Sequence, residues 1–387
     1  MSESVDIKDR ESLKAWLEDQ PREVAVWIAS RAAARVLPPW WQAVMTEEWA
    51  RDANLTAMAV LQSLLLSGVA AKRPTSITEK NADNAIFAVG QNDSAAGGPD
   101  AEGVDMGRLA ICAAFALKAA FGRMFSESAS FAVYANRATH DAAWESVRTD
   151  AAQANGGALP ESLSLWADGK GPQAEKWRAI KWQIANSEDA QDWQFWIDWY
   201  DSLLDGRPML GDSGRTWEML EQIALIDPGT WDKGPEVVNP VIREIWELHR
   251  LRAEVAALQA EKAAFLAVRA SEAQRGHNQP PEGLVDDAPE VARQITLIWD
   301  GLDEAREELE RDAPDKGRLR AIAERMLAAL NAVVAYFGKV GDAVVMSAAT
   351  ETGKLVARTA YVATLDHIAN NGRLMRFVKD LLAFGGG

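Results

Sequence analysis

Asp198, Asp201 and Asp205 recur at i, i+3 and i+7, which sets three carboxylates along one side of a helix. Carboxylates so spaced could hold a hard cation, or could form an acid/base pair if neighbouring indoles raised one pKa. The plainer reading is a solvated helix face, because a metal site draws ligands from more than one element. His140, His249, His277 and His367 share no spacing, and no HExxH, GxSxG, phosphate-loop or dinucleotide fingerprint occurs. The single cysteine, Cys112, sits in the apolar run 109–115 with no base or cation beside it, and reads as a small buried residue. These residues predict no catalytic group, no metal and no cofactor.

The remaining chemistry is that of recognition. Eight of the sixteen tryptophans fall within 158–235. Trp193, Trp196, Ile197, Tyr200, Leu203 and Leu204 share one helix face, while Phe195 and Trp199 lie on another, so this helix is expected to be buried on two sides. Such indoles can close a core, present an interface, or wall an apolar pocket built of Trp193, Trp196, Asp198, Trp199 and Asp201. The segment His277, Asn278, Gln279, Pro280, Pro281 is extended and pre-organised, which suits capture by a groove or a stiff hinge. Leu248, Leu251, Val255 and Leu258 follow alternating steps of three and four, a coiled-coil-like seam for a protein partner or a homodimer, or for packing within its own domain. Lys354, Arg358, Arg373, Arg376 and Lys379 give the C-terminal part a cationic face. That face fits an anionic membrane surface, or simply the outside of a helical hairpin.

The elements that must position these groups are helices. Helical periodicity predicts an all-α chain: a tryptophan-rich, multi-helical scaffold over 1–235, a long connecting helix over 236–275, a hinge over 276–289 and a small helical module over 290–387. Asn239-Pro240 reads as the cap and first-turn proline of the connecting helix. Glycine, asparagine and aspartate are frequent between 72 and 107, which predicts a long loop there. The net charge is -16, so no nucleic-acid partner is expected. It is divided unevenly, with residues 1–281 at -12, 282–312 at -8 and 313–387 at +4. The N-terminus has no apolar leader segment, and the apolar runs near 55–71 and 109–121 are short for a membrane span, so a cytoplasmic location is expected.

The block Asp192-Trp193-Gln194-Phe195-Trp196-Ile197-Asp198-Trp199-Tyr200, the downstream Trp231-Asp232-Lys233-Gly234-Pro235 and the linker Gly276-His277-Asn278-Gln279-Pro280-Pro281-Glu282 resemble a recurring set of bacterial all-helical proteins with no established activity. The resemblance spans about residues 9–285 and brings no catalytic residue. It implies a constant N-terminal part joined to variable tails, and more alanine-rich helix where 72–107 reads as loop. The expectation is a non-enzymatic helical interaction or adaptor protein, with a sensor–effector role in bacterial conflict or phage defence. The alternatives are a membrane-perturbing effector acting through the cationic module, and an enzyme or small-ligand binder using the Trp/Asp block.

Overall fold

The computed structural model describes residues 6–73, 79–96, 101–122, 124–135, 140–154, 162–167, 171–275, 288–347 and 372–386. Seventeen helices and no strand occur among them, as an all-α chain requires. The chain divides into two compact units, Met1–Trp246 and Glu247–Gly387, so the division falls inside the long helix rather than at its start.

In the first unit, α1 (Arg10–Glu18) opens with a capping box between Asp9 and Ser12. Then come α2 (Arg22–Ala34), α3 (Leu37–Thr46), α4 (Glu48–Asp52) and α5 (Met58–Lys72). Pro38 and Pro39 stand in the first turn of α3, where their missing N–H groups cost no helix bond. Next are α6 (Glu79–Ala96), α7 (Ala101–Phe121), α8 (Phe125–Ala135) and α9 (His140–Ala154). The unit ends with α10 (Ala174–Ala185), α11 (Ala190–Asp205), α12 (Ser213–Ala224), the short α13 (Pro228–Trp231) and the start of α14 (Pro235–Arg275). α5 is buried nearly all round, and its Leu61, Leu66 and Val69 share one core with Leu117 of α7 and with α2.

The structure corrects two sequence expectations. The stretch 72–107 is not a loop, because α6 and the beginning of α7 occupy most of it. Ala82, Ala85 and Val89 are buried at i, i+3 and i+7, a stripe of small residues that a search for large apolar side chains passes over. A glycine within a helix costs only about 1 kcal/mol, and tertiary packing outweighs that. Asn239-Pro240 is likewise no helix start, since α14 begins one turn earlier at Pro235 and carries Pro240 inside it. The Asn239 side chain is buried and accepts a hydrogen bond from Trp196 Nε1 at 3.0 Å.

The second unit is built from the later part of α14 with α15 (Ala288–Leu309), α16 (Lys316–Ser347) and α17 (Arg373–Gly385). α15 and α16 approach closely at Gly301, where an added Cβ would lie 2.5 Å from Met326 Cγ. Between them the buried Glu308 accepts the Asp315 N–H at 2.9 Å, and Asp315 caps α16 through the Arg318 N–H at 3.0 Å. Leu374, Phe377, Val378, Leu381 and Phe384 place the apolar face of α17 in the same core.

Candidate functional site

The first unit holds a buried ion cluster. Arg31, on the inner face of α2, and Arg35, the residue that caps its C-terminus, share one carboxylate, Asp150 of α9. Arg31 Nε reaches Asp150 Oδ1 at 3.0 Å and Arg35 Nη2 reaches Oδ2 at 2.7 Å. Arg35 and Asp150 are each 1% exposed. Backbone carbonyls supply further acceptors: Leu163 and Ser164 for Arg31 at 2.9 and 2.6 Å, and Leu165 for Arg35 at 2.8 and 3.0 Å. Those carbonyls come close because Gly206 ends α11 in the left-handed conformation, φ +64. A Cβ at Gly206 would lie 2.4 Å from Ser164 N and 2.6 Å from Leu163 C. Two guanidiniums against one carboxylate leave the cluster with a surplus positive charge. Burial draws the Arg31 guanidinium down to about 10; Asp150 opposes that fall and Arg35 adds to it.

Arg31 also belongs to the wall of a cleft of about 130 Å³ between α2, α5, α11 and α12. Trp27, Trp199 and Trp217 provide its aromatic surface, and the buried Ala34, Leu64, Leu65 and Leu220 its apolar floor. The Arg31 guanidinium lies 4.9 Å from the Trp27 ring centroid, within cation–π range. Gly68 of α5 lines the same space, and a Cβ there would meet only Ser30 Oγ, at 3.8 Å. The charged residues of the lining are Arg31 and Arg207, the latter exposed and paired with Asp205.

The tryptophan–aspartate block divides among other tasks. Of its pocket candidates only Trp199 enters the cleft. Trp196 is fully buried, with ring centroids 5.7 Å from Trp199 and 6.4 Å from Trp231. Trp193 packs on Trp41 at 5.7 Å and donates to Asp189 at 2.8 Å. Asp201 accepts from Trp177 Nε1 at 2.7 Å and pairs with Lys181 at 3.0 Å, while Asp198 accepts from Gln194 at 2.7 Å. The three carboxylates thus have separate partners, and no metal-holding group occurs among the described residues. α11 is buried on two faces, as its sequence predicts, through Phe195, Trp196, Ile197, Trp199 and Tyr200. Burial pushes the Tyr200 phenol well up, and its hydroxyl donates to Ala34 O at 3.2 Å.

No family model, curated protein or solved structure matches the chain. The likeness carried by the WIDWY block therefore adds no residue roles.

The other predicted sites lie elsewhere. Leu251, Val255 and Leu258 are buried in the core of the second unit, and Leu248 packs against it. The seam that suited a partner chain is thus covered by helices of its own chain. Arg373 is held by Glu254 at 2.6 Å and Glu261 at 2.7 Å, and Arg250 pairs with Asp380 at 2.7 Å. Arg376 and Lys379 are exposed, whereas Lys354, Arg358 and the segment His277, Asn278, Gln279, Pro280, Pro281 lie outside the described residues. No described helix is long and apolar enough to cross a membrane. Arg31, Arg35, Asp150, Gly68 and Gly206 are not among the residues that sequence patterns single out. The one signal for them is that Arg31 and Arg35 continue the apolar stripe of Val24 and Ile28, where a charge is out of place without a buried partner.

Proposed function

We propose that the chain acts by non-covalent recognition, as a two-unit helical binding protein that takes a small ligand in the aromatic cleft of its first unit. One observation carries this reading: a concave space walled by Trp27, Trp199 and Trp217 with an arginine at its edge. Ligand sites combine such apolar walls with a few placed polar groups. Because three indoles line the cleft, occupancy is expected to change the intrinsic tryptophan emission. Titrating the full chain with small aromatic compounds should give a saturable emission change and a raised melting temperature. A flat response in both signals across the series would remove the reading.

A second reading, recognition of a macromolecule, is supported by Trp182 on α10, which is 67% exposed. Exposed tryptophans are enriched at interface hot spots. If the partner is another copy of the chain, sedimentation should show association that Trp182→Ser abolishes without lowering the melting temperature. A strict monomer at every concentration would exclude the self-partner.

A further inference from the structure

The size and charge of the cleft specify more than an apolar guest, provided that the ligand-binding reading holds. A volume of about 130 Å³ is near the roughly 150 Å³ that accommodates one benzene ring in an apolar cavity. The guest is therefore one ring, or a branched chain of similar bulk, lying against Trp27, Trp199 and Trp217. Its polar end is selected by charge. The lining contains two arginines and no carboxylate. Arg31 has five N–H bonds, of which Asp150, Leu163 and Ser164 accept three. The cluster behind it holds two guanidiniums to one carboxylate. Ser213 and Thr216 bring the first turn of α12 into the lining, but the Asp212 carboxylate already caps that helix end through the Arg215 N–H at 2.8 Å. With Arg207 paired to Asp205, the surplus charge of the Arg31 cluster is what favours a negative guest over a neutral one of the same shape.

We propose that the cleft binds a compact apolar monoanion, a one-ring or short branched carboxylate, with its apolar body among Trp27, Trp199 and Trp217 and its carboxylate toward Arg31. A cation in a half-closed apolar space is solvated poorly by water, so a carboxylate that completes the cluster replaces little hydration and gains charge-assisted hydrogen bonds.

The test is calorimetric titration of the full chain with benzoate and with benzamide, its neutral counterpart of nearly equal shape. Benzoate should bind about ten- to a hundredfold more tightly than benzamide, the range expected when a charged acceptor replaces a neutral one. Gly68→Leu places a side chain in the cleft from a position that a Cβ enters without a clash, so it should abolish binding of both. Gly68→Ala, the milder substitution, should weaken binding while the helical melting curve is kept or raised. If benzoate and benzamide bind equally and both are lost in Gly68→Leu, the anion claim is overturned and the ligand-binding reading stands. If neither binds at millimolar concentration, both are overturned. If benzoate binds Gly68→Leu and Gly68→Ala as it binds the parent, the cleft is not the site and the proposal falls.

Discussion

Asp150 shows how one side chain fixes the interior of the first unit. Arg31 and Arg35 share its carboxylate, and removing it strands two buried guanidiniums. Asp150→Asn should destabilise the fold by about 3–5 kcal/mol in urea unfolding, the cost of breaking a buried pair from one side. A loss below about 1 kcal/mol would mean that water reaches the cluster. Cys112 is legible from sequence as an apolar residue and is buried, its thiol pushed up to about 12 by that burial. At neutral pH it is therefore protonated. Iodoacetamide should label the folded chain negligibly and the urea-unfolded chain fully; rapid native labelling would contradict the placement. Asp150 is not legible in the same way. An aspartate in an alanine-rich helix gives no hint that two arginines more than a hundred residues earlier will meet it.

At the scale of elements, helix type is readable from periodicity, while helix ends and small-residue helices are not. α11 is predicted through its large side chains, and its two-sided burial follows from their spacing. α6 escapes because its buried stripe consists of Ala82, Ala85 and Val89 rather than leucines, and because Gly90 stands within it. A Cβ at Gly90 meets nothing within 4 Å, so Gly90→Ala should stabilise the chain by about 0.5–1 kcal/mol. Destabilisation on thermal melting would argue for the loop that the sequence suggests. Gly206 behaves in the opposite way. Its left-handed φ and its approach to the Leu163–Ser164 backbone predict that Gly206→Ala costs more than about 2 kcal/mol, through strain and displacement of the Arg31 acceptors. An unchanged melting temperature would show that this turn does not hold the cluster in place.

At the scale of the molecule, the chain is two units joined within one helix. Composition hints at this: residues 1–281 carry -12 whereas 313–387 carry +4, and Trp299 is the only tryptophan of the second unit. The heptad-like steps on α14 are equally visible, but periodicity cannot say whether such a stripe meets another chain or returns to its own. Here Leu251 and Leu258 join a core with α15, α16 and α17. Leu381 is fully buried in that core, so Leu381→Ala should cost about 2–5 kcal/mol. Hydrogen exchange should then rise across 288–347 and 372–386 and the later part of α14, with residues 22–73 unchanged. A uniform rise over both units would contradict the division.

Occupancy of the cleft is the central claim, and direct observation of a guest tests it best. Crystals of the full chain soaked in 4-bromobenzoate should show the anomalous signal of bromine among Trp27, Trp199 and Trp217, with the carboxylate directed at Arg31. Bromine found only at other places, with the cleft filled by water alone, would contradict the account.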